Sequence, residues 1–266
     1  MNQLFTNIIQ EFKETYRFRY VVYSFVETNL KMRYRRSILG FLWTVVAPLT
    51  QYLILGIVFS QIVRVSIKDY VVFYITGAVF FNLISGLLSK APTIILGSES
   101  FIKKIYLPKL VYIVEHVFLD VVNFLLTLVA LIIIGIVFSK IHLSYSLVYV
   151  PFAFLCLLLF LIGASIIISI MSVYFRDLNY IMPIGMQALF FLTPIIYNVD
   201  MLSPRLRAII AFNPLCYFLD FFRTPILYQK APELMSMWVS FAIGMIVFLF
   251  GLFILKKFDN KIVFKL

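Results

Sequence analysis

Long runs of residues without a charged side chain dominate this sequence, and they alternate with shorter charged segments. A helix needs about 20 mostly apolar residues to cross the hydrocarbon core of a bilayer. In hydrocarbon only helices and closed barrels satisfy every backbone group, and these runs lack the polar alternation of barrel strands. The pattern therefore predicts an all-α integral membrane protein with six transmembrane helices, at approximately 37–63, 70–89, 110–139, 147–175, 178–199 and 234–255.

Composition excludes a soluble domain. Of the 266 residues, 63% are hydrophobic and 13% are charged, whereas soluble domains have about 45–50% apolar and about 25% charged residues. The net charge of +11 would suit a nucleic-acid partner in a soluble protein. Here the positive-inside rule explains most of it without nucleic acid. With a cytoplasmic N-terminus and C-terminus, 16 of the 23 Lys and Arg residues fall in the cytoplasmic segments 1–36, 90–109, 176–177 and 256–266.

The chain divides into a cytoplasmic interface region at 1–36, a transmembrane domain at 37–255 and a cytoplasmic basic tail at 256–266. In the first region, apolar residues recur at helical spacing opposite polar ones, which predicts an amphipathic helix. Such a helix lies in the plane of the lipid head groups. Lipid anchoring alone and docking of a protein partner both fit this pattern.

One cytoplasmic connection, 90–109, combines bulky apolar side chains with lysines. The residues that form this combination include Phe101, Ile102 and Tyr106, next to Lys103 and Lys104. A short apolar and basic element of this kind suits the anchoring of a soluble partner. A solvated loop explains the same residues equally well.

The connection between the fifth and sixth spans is different, because it is too long for a turn. Its apolar portion, 208–219, is interrupted at Asn213-Pro214 and is too short to cross a membrane. Non-helical backbone at membrane depth is tolerated where protein buries it or where it lines a cavity. The sequence therefore predicts short re-entrant or interfacial helices here.

The sequence lacks the chemistry of a motor. A Walker A loop needs Gly-x-x-x-x-Gly-Lys-Ser/Thr, and the nearest stretch, 97–104, lacks the second Gly and the Ser/Thr. No His or Cys spacing suits a metal, so we expect no cofactor bound by this chain. Glu115, His116 and Asp120 precede the third charge-free run. They fit either a proton relay or side chains at the level of the head groups.

Several motifs taken together resemble one family of transporters. Residues 33–43 (RYRRSILGFLW), followed by Ala47-Pro48-Leu49, look like the opening signature of type-two ABC (ABC-2) exporter permeases. The resemblance is greatest to the branch that exports lipid-linked polysaccharides, namely O-antigens, capsules and teichoic acids. The other matching stretches keep the family's order and spacing, and they are 101–108, 174–180, 191–197, 213–215 and Phe222-Arg223.

This resemblance implies a permease homodimer in the bacterial cytoplasmic (inner) membrane, surrounded by membrane lipids. It implies two copies of a separate cytoplasmic ABC ATPase, which binds ATP and Mg²⁺, and a lipid-linked glycan as substrate. In the family, the N-terminal interface helix and the first cytoplasmic loop grip the ATPase. Carried over to this sequence, the interface helix is 20–36 and the ATPase-coupling residues are Glu99, Phe101, Ile102, Lys103, Lys104 and Tyr106.

The resemblance also implies where the substrate passes. In the family, the first and fifth spans line the path between subunits, and the segment after the fifth span forms an extracytoplasmic gate. Arg33, Arg35 and Arg36 are placed to bind the substrate's pyrophosphate, since Arg binds phosphate bidentately; ordinary positive-inside charge explains them too. The path or dimer-seam residues are Trp43, Tyr52, Phe59, Phe190, Phe191 and Tyr197, and the gate residues are Asn213, Pro214 and Arg223.

Other functions remain open on the sequence alone. An ABC-2 permease for a drug or another small hydrophobic cargo would share these motifs. A membrane-embedded glycosyltransferase or phosphosugar transferase would need clustered carboxylates for a divalent metal, and the cytoplasmic loops offer only Glu99 and Asp177. An ion-coupled transporter would need charges near the midplane. The 29 Phe, 16 Tyr and 2 Trp residues fit interface belts or a surface that stacks on sugar rings.

Overall fold

The computed structural model of the chain describes residues 13–33, 40–138, 144–262 and 265–266. Within these ranges the protein is helical and contains no strand. Short 3₁₀ turns connect some of the helices. The α-helices are α1 Arg19–Arg33, α2 Trp43–Val63, α3 Ile67–Gly97, α4 Glu99–Lys104, α5 Lys109–Val137, α6 Tyr149–Tyr174, α7 Leu178–Leu192, α8 Pro204–Ala211, α9 Pro214–Leu227 and α10 Leu234–Ile262.

Helix α3 is the centre of the bundle. It contacts α2, α5, α6, α7 and α9, and most of its side chains are buried. A helix that is apolar on all sides gains packing only where other helices surround it. The side chains that fill the space around α3 are fully buried and include Phe80, Ile84, Leu87, Ile94 and Ile95.

In the part of the chain that the structure describes, five helices are long and apolar enough to cross a membrane: α2, α3, α5, α6 and α10. The expected fifth span, 178–199, is shorter in the structure, because α7 ends at Leu192 after 15 residues. The reason is local: Pro194 disfavours the helical conformation of the residue before it, and Thr193 is extended with ψ 133°. The segment after Thr193 continues without regular helix to the turn at Val199–Met201.

The first helix and the last helix end at the same end of the bundle, which we call the basic end. Lys109 at the start of α5 forms an ion pair with Asp259 near the end of α10. Asn29 of α1 donates a hydrogen bond to Glu115 of α5, with 2.8 Å between nitrogen and oxygen. Since both contacts involve the first third of α5, α1 and the end of α10 lie at the same end of the bundle.

The opposite end holds the beginnings of α3 and α10 together with the segment 193–236. The hydroxyl of Tyr70, near the start of α3, donates to the carbonyl of Ile196 at 2.6 Å. Ser236, at the start of α10, donates to Asp220 at 2.7 Å. The short helices expected between the last two spans are α8 and α9, which lie on either side of Asn213.

Glycines bring α6 and α10 into very close contact. A Cβ atom built on Gly163 would lie 2.6 Å from the Cα of Phe248, and one on Gly251 would lie 2.7 Å from the carbonyl oxygen of Gly163. A Cβ on Gly244 would meet the carbonyl oxygen of Cys156 at 2.7 Å. Small residues allow this approach, which is how membrane helices gain van der Waals contact without a hydrophobic driving force.

Serine hydroxyls join α6 to the central helix. Ser169 donates to the carbonyl of Ala91 at 2.7 Å, and Ser172 donates to the carbonyl of Pro92 at 2.6 Å. Pro92 lies inside α3, where a proline removes one helical hydrogen bond and bends the helix. The serines therefore add side-chain donors to backbone carbonyls of the central helix next to this proline.

We expect Gly163→Ala to lower the free energy of unfolding by about 1–3 kcal/mol, because the new methyl group meets backbone atoms that cannot move aside. Gly185→Ala in α7 is the matched control, since a Cβ there meets no atom within 4 Å. Unfolding in mixed micelles titrated with SDS measures both variants. Equal stability of the two would contradict the close packing of α6 on α10.

Candidate functional site

An exposed apolar and basic surface lies at the basic end of the bundle. Helix α4 leaves Phe101 47% exposed, and Tyr106 just beyond it is 84% exposed. Glu99 and Lys103 pair along the helix at 2.6 Å, while Lys104 is exposed. The expected coupling residues Glu99, Phe101, Lys103, Lys104 and Tyr106 thus share one surface, and the sixth, Ile102, packs inward against the core.

This surface is continuous with α1. The rings of Phe25 and Phe101 pack with their centroids 5.9 Å apart. On its other side, α1 buries Val22 and Val26 against Val111 of α5. Direct side-chain contacts therefore connect α4 to α1, and α1 to α5.

The outward face of α1 is polar. Lys31 pairs with Glu27 at 2.6 Å, and this hydrogen bond and charge raise the pKa of Lys31 above its ordinary value. The guanidinium of Arg19 lies over the rings of Tyr16 and Tyr20, at 4.7 and 4.6 Å from their centroids. Tyrosine and arginine together are typical of a helix at the membrane interface.

A polar cavity of about 510 Å³ lies between α2, α3 and α5, toward the basic end. Amide, hydroxyl and charged side chains line part of its wall, and apolar side chains line the rest. Polar groups at membrane depth are costly unless they face partners, water or a ligand. The polar and aromatic lining residues are Trp43, Thr44, Tyr52, Asn82, Ser85, Lys90, Asp120, Asn123 and Thr127.

The polar groups of this cavity are one ion pair, one side-chain hydrogen bond and one hydrogen-bond acceptor without a donor. Lys90 forms an ion pair with the buried Asp120 at 2.8 Å. Asn82 donates a hydrogen bond to the hydroxyl of Tyr52. The side-chain oxygen of Asn123 is buried and finds no donor in the part of the chain that the structure describes. The cavity therefore offers hydrogen-bonding groups of both kinds beside the indole of Trp43.

Glu115, His116 and Asp120 of α5 each have a polar or charged partner. Glu115 accepts from Asn29 and lies 2.6 Å from the Nδ1 of His116. Asp120 is paired with Lys90 across to α3. These residues therefore join α5 to α1 and α3, which explains their charges without a proton relay.

At the opposite end, side chains from other helices bind the carbonyls that are released where α7 stops. Asn213 donates to the carbonyl of Leu192 at 3.2 Å and to the hydroxyl of Thr193 at 3.0 Å. Arg223 donates to the carbonyls of Pro194 and Ile195, at 2.7 and 3.3 Å. The last four carbonyls of a helix lack partners within it, and a positive charge suits that end.

The guanidinium of Arg223 is wedged between this segment and the central helix. Its central carbon lies 4.1 Å from the centroid of the Phe73 ring, a cation–π contact. A Cβ on Gly77 would collide with the guanidinium, so only glycine leaves room for it. One buried arginine thus links α9, α3 and the end of α7.

Comparison with known proteins identifies the family. The family model described as ABC-2 type transporter matches residues 20–227. This chain belongs to the ABC-2 transporter family. An O-antigen export system permease protein RfbA of Klebsiella pneumoniae is 32% identical over 188 residues, which is 70% of this chain and 72% of the relative. A protein of the same name from Myxococcus xanthus is 24% identical over 242 residues, 90% and 93% of the two chains.

The expected path residues of this ABC-2 chain occupy four places. Trp43 and Tyr52 line the polar cavity, and Phe59 packs partly buried against the core. Phe190 packs on Phe81 and Phe191, with ring centroids 5.5 and 5.4 Å away. Tyr197 lies at the opposite end, where its hydroxyl donates to the carbonyl of Phe191 at 2.8 Å.

The structure describes the residues expected to form the gate but not the side chains of the arginines expected to bind the head group. Asn213 and Arg223 both bind the break after α7, and Pro214 is the first residue of α9. Arg35, Arg36 and the side chain of Arg33 lie outside the described part of the chain.

Sequence reasoning missed several residues of these sites in the ABC-2 chain. Asn82, Lys90 and Asn123 line the cavity, and Tyr70 and Phe73 complete the contacts around the α7 break. A signal was present for the two asparagines, since an amide within an otherwise apolar span marks an interior or functional position. Nothing local in the sequence marks Tyr70 or Phe73, because tyrosine and phenylalanine are common throughout the spans.

We expect Arg223→Gln to lower the free energy of unfolding by about 2–4 kcal/mol, because the carbonyls of Pro194 and Ile195 lose their charged donor. Arg205→Gln on the exposed face of α8 is the matched control and should change stability by less than about 0.5 kcal/mol. SDS titration in mixed micelles measures both. An Arg223→Gln protein as stable as the control would show that the guanidinium does not hold the break.

Proposed function

We propose that this chain is the transmembrane permease subunit of an ATP-driven exporter that moves lipid-linked polysaccharide across the bacterial cytoplasmic membrane. The observation that carries the proposal is the similarity to O-antigen export permeases over 70–90% of the chain. The polar cavity supports it, since a hydroxyl-rich substrate needs hydrogen-bonding groups along its route. A hydrophobic drug, the closest alternative cargo, would use only the apolar part of that lining and leave its hydrogen-bonding groups without partners.

A six-crossing topology fits the helices best. Because α1 and the end of α10 lie at one end of the bundle, the chain between them crosses an even number of times. The five long helices give an odd number, so α7 and the segment after it complete the sixth crossing. The excess of Lys and Arg at the basic end then places both termini in the cytoplasm.

The surface formed by α4 and α1 is the docking site for the ATPase. We assign the coupling to Glu99, Phe101, Lys103, Lys104 and Tyr106, and Ile102 anchors α4 to the core. Two ATPase subunits, which bind ATP and Mg²⁺, would press on one such surface in each protomer of a permease homodimer. The contact between Phe25 and Phe101 would pass that movement to α1 and α5.

The path runs along α2 and α7 between the two protomers. Both helices pack on α3, and both leave apolar side chains uncovered, such as Ile57 and Ile62 of α2 and Ile184 and Phe191 of α7. A second copy of the chain would cover part of these surfaces. The exposed aromatic side chains of this region, such as Trp43 and Phe191, would stack on the apolar faces of sugar rings.

The two ends of the path have different tasks. At the cytoplasmic end we assign capture of the substrate's pyrophosphate to Arg33, Arg35 and Arg36, which precede α2 in the sequence. At the outer end, Asn213, Pro214 and Arg223 form the gate, because they control the backbone where α7 stops. Movement of α9 would release those carbonyls and change the opening between protomers.

The decisive experiment reconstitutes the purified permease with its ATPase in liposomes. Lipid-linked glycan isolated from the same cells should stimulate ATP hydrolysis several-fold, since substrate binding drives closure of the complex. The matched control is the same lipid carrier phosphate without its glycan, which should give little stimulation. Equal hydrolysis with and without glycan would overturn the proposed cargo.

Docking of the ATPase is tested by Tyr106→Ala. An exposed aromatic at the centre of an interface contributes more than about 1.4 kcal/mol, so we expect the Kd for the ATPase to rise at least about tenfold. Tyr145→Ala is the matched control, because Tyr145 is 97% exposed at the opposite end of the bundle. Surface plasmon resonance on nanodisc-embedded permease measures both. Equal affinity of the two variants would place the docking surface elsewhere.

A further inference from the structure

A second cavity, with a mixed polar and apolar lining, lies at the opposite end, away from the one between α2, α3 and α5. It measures about 380 Å³, is formed within a single protomer and is partly open at its surface. The segment after α7, helices α8 and α9, and the start of α10 form its walls, and Phe73 of α3 lies at its base. Its polar lining residues are Tyr197, Asn198, Arg207, Tyr217, Asp220, Arg223, Tyr228, Glu233 and Ser236.

A buried donor without a partner belongs to this lining. Arg223 is 7% exposed, and its Nη atoms donate to the carbonyls of the α7 break. Its Nε–H is buried and has no acceptor among the described residues. Buried polar groups are nearly always satisfied, so this orphaned donor marks a wall with unmet hydrogen-bonding capacity. Protein atoms cover the Nε itself, so a ligand would contact the other polar groups of the lining.

The charges around the cavity restrict what can bind. Two carboxylates, Asp220 and Glu233, line it together with two guanidinium groups, Arg207 and Arg223. Asp220 already accepts from Thr224 at 2.9 Å and from Ser236 at 2.7 Å, and its carboxylate retains further acceptor capacity. The carboxylates would repel an anion, and the guanidinium groups would repel a cation. A neutral ligand that both donates and accepts hydrogen bonds is compatible with both kinds of charge.

The apolar part of the lining suits a ring with apolar faces. Tyr197, Tyr217 and Tyr228 lie around the cavity, and the thiol of Cys216 completes this wall. Burial raises the pKa of that thiol to about 12, so it adds no charge. An aromatic ring with a polar rim is the surface on which a sugar ring packs its C–H face while its hydroxyls reach polar groups.

From these observations we propose that each protomer binds one neutral sugar unit of the exported polymer in this cavity, on the outer side of the gate. The inference rests on the proposed function, and it adds a sugar site inside the protomer to the path between protomers. A sugar held there contacts the arginine that fixes the α7 break. Occupancy would oppose backward sliding of the chain while the gate resets.

The test measures sugar binding directly, without the ATPase. Saturation-transfer difference NMR on nanodisc-embedded permease uses methyl glycosides of hexoses, 6-deoxyhexoses and N-acetylhexosamines as probes. At least one glycoside should give a signal, and the double variant Asp220→Asn, Glu233→Gln should raise its Kd at least about tenfold. The matched control is Asp177→Asn, an exposed carboxylate at the basic end, which should bind like the unaltered protein.

Gel filtration and SDS titration establish that the double variant and the Asp177→Asn control are folded. Cys216→Phe, which fills the cavity, is an independent second variant and should abolish the NMR signal. The site is overturned if no glycoside binds, if the double variant and Cys216→Phe bind normally, or if Asp177→Asn loses binding equally. ATPase stimulation by lipid-linked glycan is scored separately. Stimulation without binding in this cavity rejects the site alone, and binding without stimulation rejects the proposed export function alone.

Discussion

The structure depends on satisfying backbone groups where helix is interrupted inside an apolar bundle. Carbonyls released at the end of α7 cannot turn to water, so donors must come from other helices. Asn213, Arg223 and Tyr70 supply them from α9 and α3. Because these donors come from elements distant in sequence, the break is fixed only when α3, α7 and α9 are packed together.

The central helix connects the two polar sites of the protomer. Near the opposite end, Phe73 and Gly77 receive the guanidinium of Arg223. Near the basic end, Asn82 and Lys90 line the cavity between α2, α3 and α5. A displacement of α3 would therefore act on both sites at once, and its tight packing makes it move as a unit rather than bend continuously. Serine contacts with α6 and glycine packing of α6 on α10 provide the fixed frame beside it.

The docking surface proposed for the ATPase and the outer cavity lie at opposite ends of the bundle. The exposed side chains Phe101 and Tyr106 lie at the basic end and contact no part of the outer cavity. If the ATPase docks as proposed, its movement would reach the outer cavity through helix packing. Short ion pairs such as Lys90–Asp120 link neighbouring helices within the membrane, where an unpaired charge would be far more costly than a paired one.

The sequence by itself determined five long apolar helices, the lack of a Walker A motif and the position of the short helices around Asn213. These follow from local hydropathy, charge and proline, which neighbouring residues set. It even contained the reason why α7 stops, in Thr193-Pro194, although the expected span ran past it. Only the tertiary structure decided that Trp43 and Tyr52 face Asn82, and that Arg223 meets Gly77 and Pro194. Such contacts depend on how helices that are far apart in the chain rotate and pack against one another. The hydropathy pattern along the sequence does not encode that rotation.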